Sequence, residues 1–261
     1  MTVNLERLNW NHLDLAITAS SHIYTLEMYR DELVLPSLRT LNEKTEVLSE
    51  SNDPADTFAH EDLADLHHST VEGFLLTTQS MWERSLRGMM IGAAKRQNAL
   101  PQEIEAIKNA RWTPGGPKGI QAHFQNFFGA PLEWFGCPSD LQILQEMGNA
   151  LRHGDGKSAE RLHELSPSLW VNWLPPGKTI NIGNQTIQVP ANAPRHPSFD
   201  GITLPESLLE QMILSVLWFW QDIEFVRCNS FTNKANSVVR KLAEMRTDRP
   251  KREHQRVWTP H

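Results

Sequence analysis

Hydrophobic positions recur at helical spacing along most of the chain. Leu13, Ile17, His22, Leu26, Leu33 and Leu41 keep a rough three-to-four-residue period, which predicts one long helix or two over 12–47. Pro36 should kink or break that run, because proline cannot donate to the preceding turn. "SESNDPADT" (49–57) has the composition of a loop. A second helical run covers 60–98, with Phe74, Gln79, Trp82, Leu86, Met89 and Met90 on one broad apolar face. Glu83, Arg84 and Arg87 fall on or near the opposite face, and Lys95 and Arg96 suit a last turn.

Shorter elements follow. "LPQEIEAIKNA" (100–110) predicts a helix with Pro101 in its first turn, and "IQAHFQNFFG" (120–129) an amphipathic helix. Between them "RWTPGGPKG" (111–119) predicts a loop; it has glycines and a lysine but not the spacing of a phosphate-binding loop. "CPSDLQILQEMGNALRHGDG" predicts a helix with Ser139 as its cap and Asp140 at its positive end. Gly154 or Gly156 should end it in a left-handed turn.

Residues 166–205 hold seven prolines and the alternating run "KTINIGNQTIQVP". That run predicts a hairpin, Thr179–Ile182 against Thr186–Val189. The segment 204–228 is apolar almost all round, which predicts a buried helix with Ile213, Leu217, Phe219 and Trp220 in the core. The expected fold is mainly α: a helical bundle over 1–230 with a small β-hairpin insertion at about 166–203, before the last core helix, and a basic C-terminal tail over 231–261.

Composition narrows the class. The chain has 261 residues, 39% hydrophobic and 21% charged, an ordinary globular balance despite nine Trp. Two cysteines, Cys137 and Cys228, make neither a disulfide framework nor a metal-type spacing. The longest apolar cluster, 212–220, falls short of the roughly 20 residues a membrane span needs. With no signal-like N-terminus, the expectation is a cytoplasmic protein without membrane contact. Net charge is −6, but residues 231–261 carry eight Lys or Arg against three Asp or Glu, so the tail is basic. It reads either as a solvated, partly disordered tail or as an arm that attracts phosphate.

Candidate chemistry gathers in "GNALRHGDG" (148–156). On the 139–153 helix, Ile143, Leu144, Met147 and Leu151 form an apolar face, while Gln145, Asn149 and His153 stand at i, i+4 and i+8 on another. Arg152 adjoins that stripe. An imidazole titrating near neutrality can exchange protons, an amide can orient it, and a guanidinium can clamp phosphate. That set suits cleavage of RNA by its own 2′-hydroxyl without a metal. The plain alternative is a polar helix end whose cations complement the helix dipole. His60, His67 and His68 near Asp62 and Asp65 read as a solvated polar face; no metal and no cofactor is expected.

"LQEMGNALRHGDG", at the end of a late helix in an all-α chain, resembles the motif of HEPN domains. These are helical bundles of prokaryotic defence and toxin–antitoxin systems and of some RNA-processing proteins. Their signature is Arg, usually followed by a polar residue, with His four to six residues after the Arg; a typical form is Arg-Asn-x-x-x-His. Asn149 and His153 match it, and Gly148 stands where the arginine belongs. The resemblance covers about 12–165. In the family, Arg and His of two paired bundles are taken to form one ribonuclease site. Arg152 lies only about 40° round an ideal helix from Gly148 and is placed to take over the charge. The resemblance implies a homodimer and antiviral or stress defence. Its ligand would be RNA or a nucleotide, and its partner a protein of a defence operon. Three readings follow: an RNA-binding or dimerising component altered at its active site, a metal-independent endoribonuclease using His153, Asn149 and Arg152, or a structural helical adaptor.

Overall fold

The structure, a computed structural model, describes residues 4–13, 18–51, 53–112, 116–182 and 185–260. It is mainly helical. α1 (Thr18–Tyr29) runs through a π-helical turn (Arg30–Val34) into α2 (Leu35–Ser49). Then come α3 (Pro54–Arg96), α4 (Pro101–Asn109), α5 (Ile120–Phe128), α6 (Pro138–His153) and α7 (Lys157–Leu165). A hairpin of β1 (Thr179–Ile182) and β2 (Gln185–Gln188) precedes α8 (Glu206–Ser230) and α9 (Asn236–Asp248).

Pro36 neither breaks nor simply bends the first run. Its ring would meet the carbonyl four residues back, and it has no N–H to donate. The chain answers with an i→i+5 turn, closed by the Leu35 N–H on the Arg30 carbonyl. The π turn inserts one residue into the helical register. Leu33 is therefore turned out to solvent, against the periodicity, and Val34 is buried in its place, followed by Leu38. Ile17 lies outside the described residues. The expected loop at 49–57 is also shorter, because Pro54 suits a first helical position and Asp53 accepts from the Ala55 N–H at 2.9 Å.

α8 is the axis of the core. Leu208, Leu209, Met212, Ile213, Val216, Leu217, Phe219 and Trp220 are all buried, as the apolar pattern predicts. α1, α3, α6 and α9 pack around it. On α3 burial starts at Val71 and continues through Leu75, Gln79, Trp82, Leu86, Met90 and Ala93, a regular helical stripe. The hairpin register pairs Thr179 with Gln188 and Ile182 with Gln185, one residue earlier on the second strand than the alternation suggested.

Residues 231–260 fold back onto α6 and α8 through their cations rather than extending as a free tail. Arg249 (3.2 Å) and Arg252 (2.8 Å) both reach the buried carboxylate of Asp222. Arg256 reaches buried Asp140 at 2.7 Å, and Lys241 reaches buried Glu224 at 2.8 Å. A carboxylate enclosed by protein needs a cation beside it, and this segment supplies the cations. No helix among the described residues is long and apolar enough to cross a membrane.

Candidate functional site

α6 carries the candidate residues. Pro138 occupies its first turn, and the capping residue is Cys137, whose side chain makes no capping bond to the helix, rather than Ser139. Asp140 is fully buried and serves a different purpose from a dipole partner. It accepts from Gln211 Nε2 (2.8 Å), Ser215 Oγ (2.7 Å) and Arg256 Nη2 (2.7 Å), tying α6 to α8 and to the C-terminal segment.

The helix is buried on more than one face. Ile143, Leu144 and Met147 are in the core and Leu151 is half-buried, but Gln145, Glu146 and Gly148 are buried too. The polar stripe therefore divides. Gln145, expected on an open face, lies against α3 and accepts from Gln79 Nε2 at 3.0 Å. Asn149 is half-buried, and only Arg152 and His153 are exposed.

Gly148 faces the side chain of Gln79. A Cβ at residue 148 would stand 2.6 Å from Gln79 Cγ and 2.9 Å from its Cδ, nearer than real Cβ contacts come. Gln79 cannot readily withdraw. Its Nε2 donates to Glu83 Oε2 (2.6 Å) as well as to Gln145, and its Oε1 accepts from Arg152 Nη2. Arg152 donates also to Ser80 Oγ at 3.1 Å. Glu83 in turn accepts from Arg87 at 2.6 Å, and Arg87 caps the end of α4 through the carbonyls of Ile107 (2.8 Å) and Ala110 (2.7 Å). The result is a ribbon from Arg152 through Gln79 and Glu83 to Arg87. Burial pushes the Glu83 carboxyl up, but the Arg87 and Gln79 bonds more than offset it and hold it below its ordinary value.

His153 makes no hydrogen bond or ion pair among the described residues, and neither does the Asn149 amide. A general acid or base works from a fixed position, with a second group setting its tautomer. No such group holds this imidazole. The helix ends at Gly154, whose φ of 68° is the one glycine allows, although its ψ of −141° lies outside the expected left-handed turn. Asp155 between the two glycines accepts from the Phe199 N–H (2.5 Å) and from Ser198 Oγ (3.1 Å). "GDG" thus latches the turn after α6 to the segment that leads into α8.

The histidines expected on a solvated face are partly tied into the fold. His67 Nε2 stands 2.6 Å from Glu206 Oε1 at the start of α8, and His68 pairs with Glu72 on its own helix. The described residues contain no group of three His, Cys, Asp or Glu placed to hold a metal. Cys228 is buried, and that burial pushes its thiol up to about 11, too high for a nucleophile at neutral pH. The phosphate-arm reading of the tail loses its main cations, since Lys241, Arg249, Arg252 and Arg256 are spent on buried carboxylates.

Sequence reasoning missed Gln79 as the partner of Gly148 and of Arg152. One signal was available: a lone amide on the apolar face of α3, which burial obliges to find hydrogen bonds. Compared with known protein families, with characterised proteins and with solved structures, this chain matches none.

Proposed function

We propose that the chain is a non-catalytic, HEPN-like helical binding module that contacts RNA through the exposed end of α6 and serves in a prokaryotic defence or stress system. The observation that carries this reading is the packing at Gly148. Where the family keeps its arginine, the space belongs to Gln79, and Arg152 is committed to Gln79 and Ser80. His153 is left without a group to orient it. Arg152 remains exposed on its outer side and can offer further N–H donors to a phosphate.

Most of α6 is already covered by α3, α7 and α8, so pairing of two copies would use its last turn, with Asn149, Arg152 and His153 meeting across a two-fold axis. Filter binding to labelled single-stranded RNA, with mass measured by light scattering, tests the reading. Arg152→Ala should weaken binding and reduce its salt slope by about one. His153→Ala should leave affinity within about twofold, below roughly 0.4 kcal/mol. Binding indifferent to Arg152→Ala would remove the reading and leave a structural adaptor.

A further inference from the structure

The chain's negative charge is concentrated in one place. Residues 39–66 hold eight Asp or Glu against Arg39 and Lys44, a net of −6, which equals the net charge of the whole protein. The rest of the chain balances. These residues are the outer part of α2 and the first part of α3. Burial on α3 begins only at Val71, and the last fully buried residue of α2 is Leu38. Asn42 and His67 both bond Glu206, which marks the root where the pair leaves the body. Beyond it, α2 and α3 lie against each other as a two-helix arm.

One side of the arm is an apolar groove of about 600 Å³. Val47 and Leu48 line it from α2, and Leu63 and Leu66 from α3. Their spacing follows one stripe on each helix, so the groove runs between two antiparallel rods. Its rim carries Glu43, Lys44 and Asp62. Val47 is 69% exposed and Leu66 53%, and Phe58, 71% exposed, stands near the tip. Large side chains held open in a row, rimmed by charge, are the features of an interaction surface.

Charge decides what fits it. A second arm would bring −6 against −6. Nucleic acid and anionic lipid are repelled for the same reason. The apolar floor asks for a third helix with anchors at i, i+3 or i+4 and i+7, and the acidic flanks ask for cations beside those anchors. We propose that the α2–α3 arm docks a basic amphipathic helix of a partner protein. This surface is separate from the end of α6 and does not depend on RNA binding there.

The probe is a fluorescein-labelled Leu/Lys peptide of about 18 residues with its leucines at helical spacing, titrated with the full chain and read by anisotropy. A scrambled peptide of the same composition and a Leu/Glu counterpart are run beside it. The helical Leu/Lys peptide should bind, and its affinity should fall about tenfold or more between roughly 50 and 300 mM salt. The two control peptides should bind at least about tenfold more weakly. Val47→Gln with Leu66→Gln should cost about tenfold in affinity while leaving the melting temperature nearly unchanged, because both side chains are more than half exposed. The proposal is overturned if the helical peptide fails to bind at about 100 µM, a Kd that corresponds to only about −5.5 kcal/mol. It is equally overturned if the scrambled peptide binds as well, or if the double variant binds like wild type. Self-association of wild type that the double variant abolishes would give the groove to a second copy instead.

Discussion

Gly148→Ala is the substitution with the most to say about α6. Helix propensity alone favours it, since alanine gains about 1 kcal/mol over glycine in a helix interior. The contact with Gln79 opposes it. A methyl 2.6 Å from Gln79 Cγ forces a shift in a fully buried side chain, and overpacking of that kind costs about 1–3 kcal/mol. Moving Gln79 also strains its bonds to Gln145, Glu83 and Arg152, at about 1 kcal/mol for a bond lost. The balance is a net loss of about 1–3 kcal/mol, or roughly 2–4 °C in melting temperature per kcal/mol for a chain of this size. Gly73→Ala on α3 is the control, because a Cβ there meets nothing within 4 Å, and it should stabilise by up to about 1 kcal/mol. In a Gln79→Ala background the space opens, so Gly148→Ala should become neutral or stabilising, with a coupling of about 1–3 kcal/mol. Urea unfolding of the four proteins and the control measures all of this. If Gly148→Ala stabilises wild type as much as Gly73→Ala does, the packing explanation for the glycine is wrong.

Arg256→Ala strands the Asp140 carboxylate, which is fully buried, and should cost about 3–5 kcal/mol in urea unfolding. Asp140→Asn added to it should recover part of that loss, and a double variant no better than the single one would contradict the pairing. Burial raises the Glu224 carboxyl, but bonds from Arg227, Lys241 and Ser20 outweigh it and bring it down to about 2. Its folded value lies below the unfolded value of 4.5, so its contribution is complete above pH 4.5 and is lost as pH falls towards 2. The urea midpoint should therefore fall through that window more steeply for wild type than for Glu224→Gln, and parallel curves would refute the assignment.

The apolar half of the fold was readable from periodicity, because burial on a helix repeats every three to four residues. α8 and the inner face of α3 followed from that rule alone. Leu33 and Val34 show where it fails: one π turn, forced by Pro36, shifts the register by a residue and exchanges the two side chains. The polar half was harder to read. Asp140, Asp222 and Glu224 look like solvated helix charges in sequence; Arg227 lies only three residues from Glu224, but the other cations that make this burial tolerable lie 17 to 116 residues further along. The end of α6 was legible in sequence as a polar helix end. What surrounds Gly148 was not, since spacing within α6 carries no information about a side chain arriving from α3.

The most direct measurement is RNA cleavage by the purified chain in chelator, with wild type and His153→Ala compared on the same total RNA. Loss of a working general acid or base typically lowers a rate by about 10²–10⁴-fold, so a catalytic His153 could not escape notice. With Gln79 packed against Gly148 and the imidazole unheld, wild type should leave the RNA intact over hours, indistinguishable from His153→Ala. Cleavage by wild type that disappears in His153→Ala would contradict the account and make the end of α6 an active site.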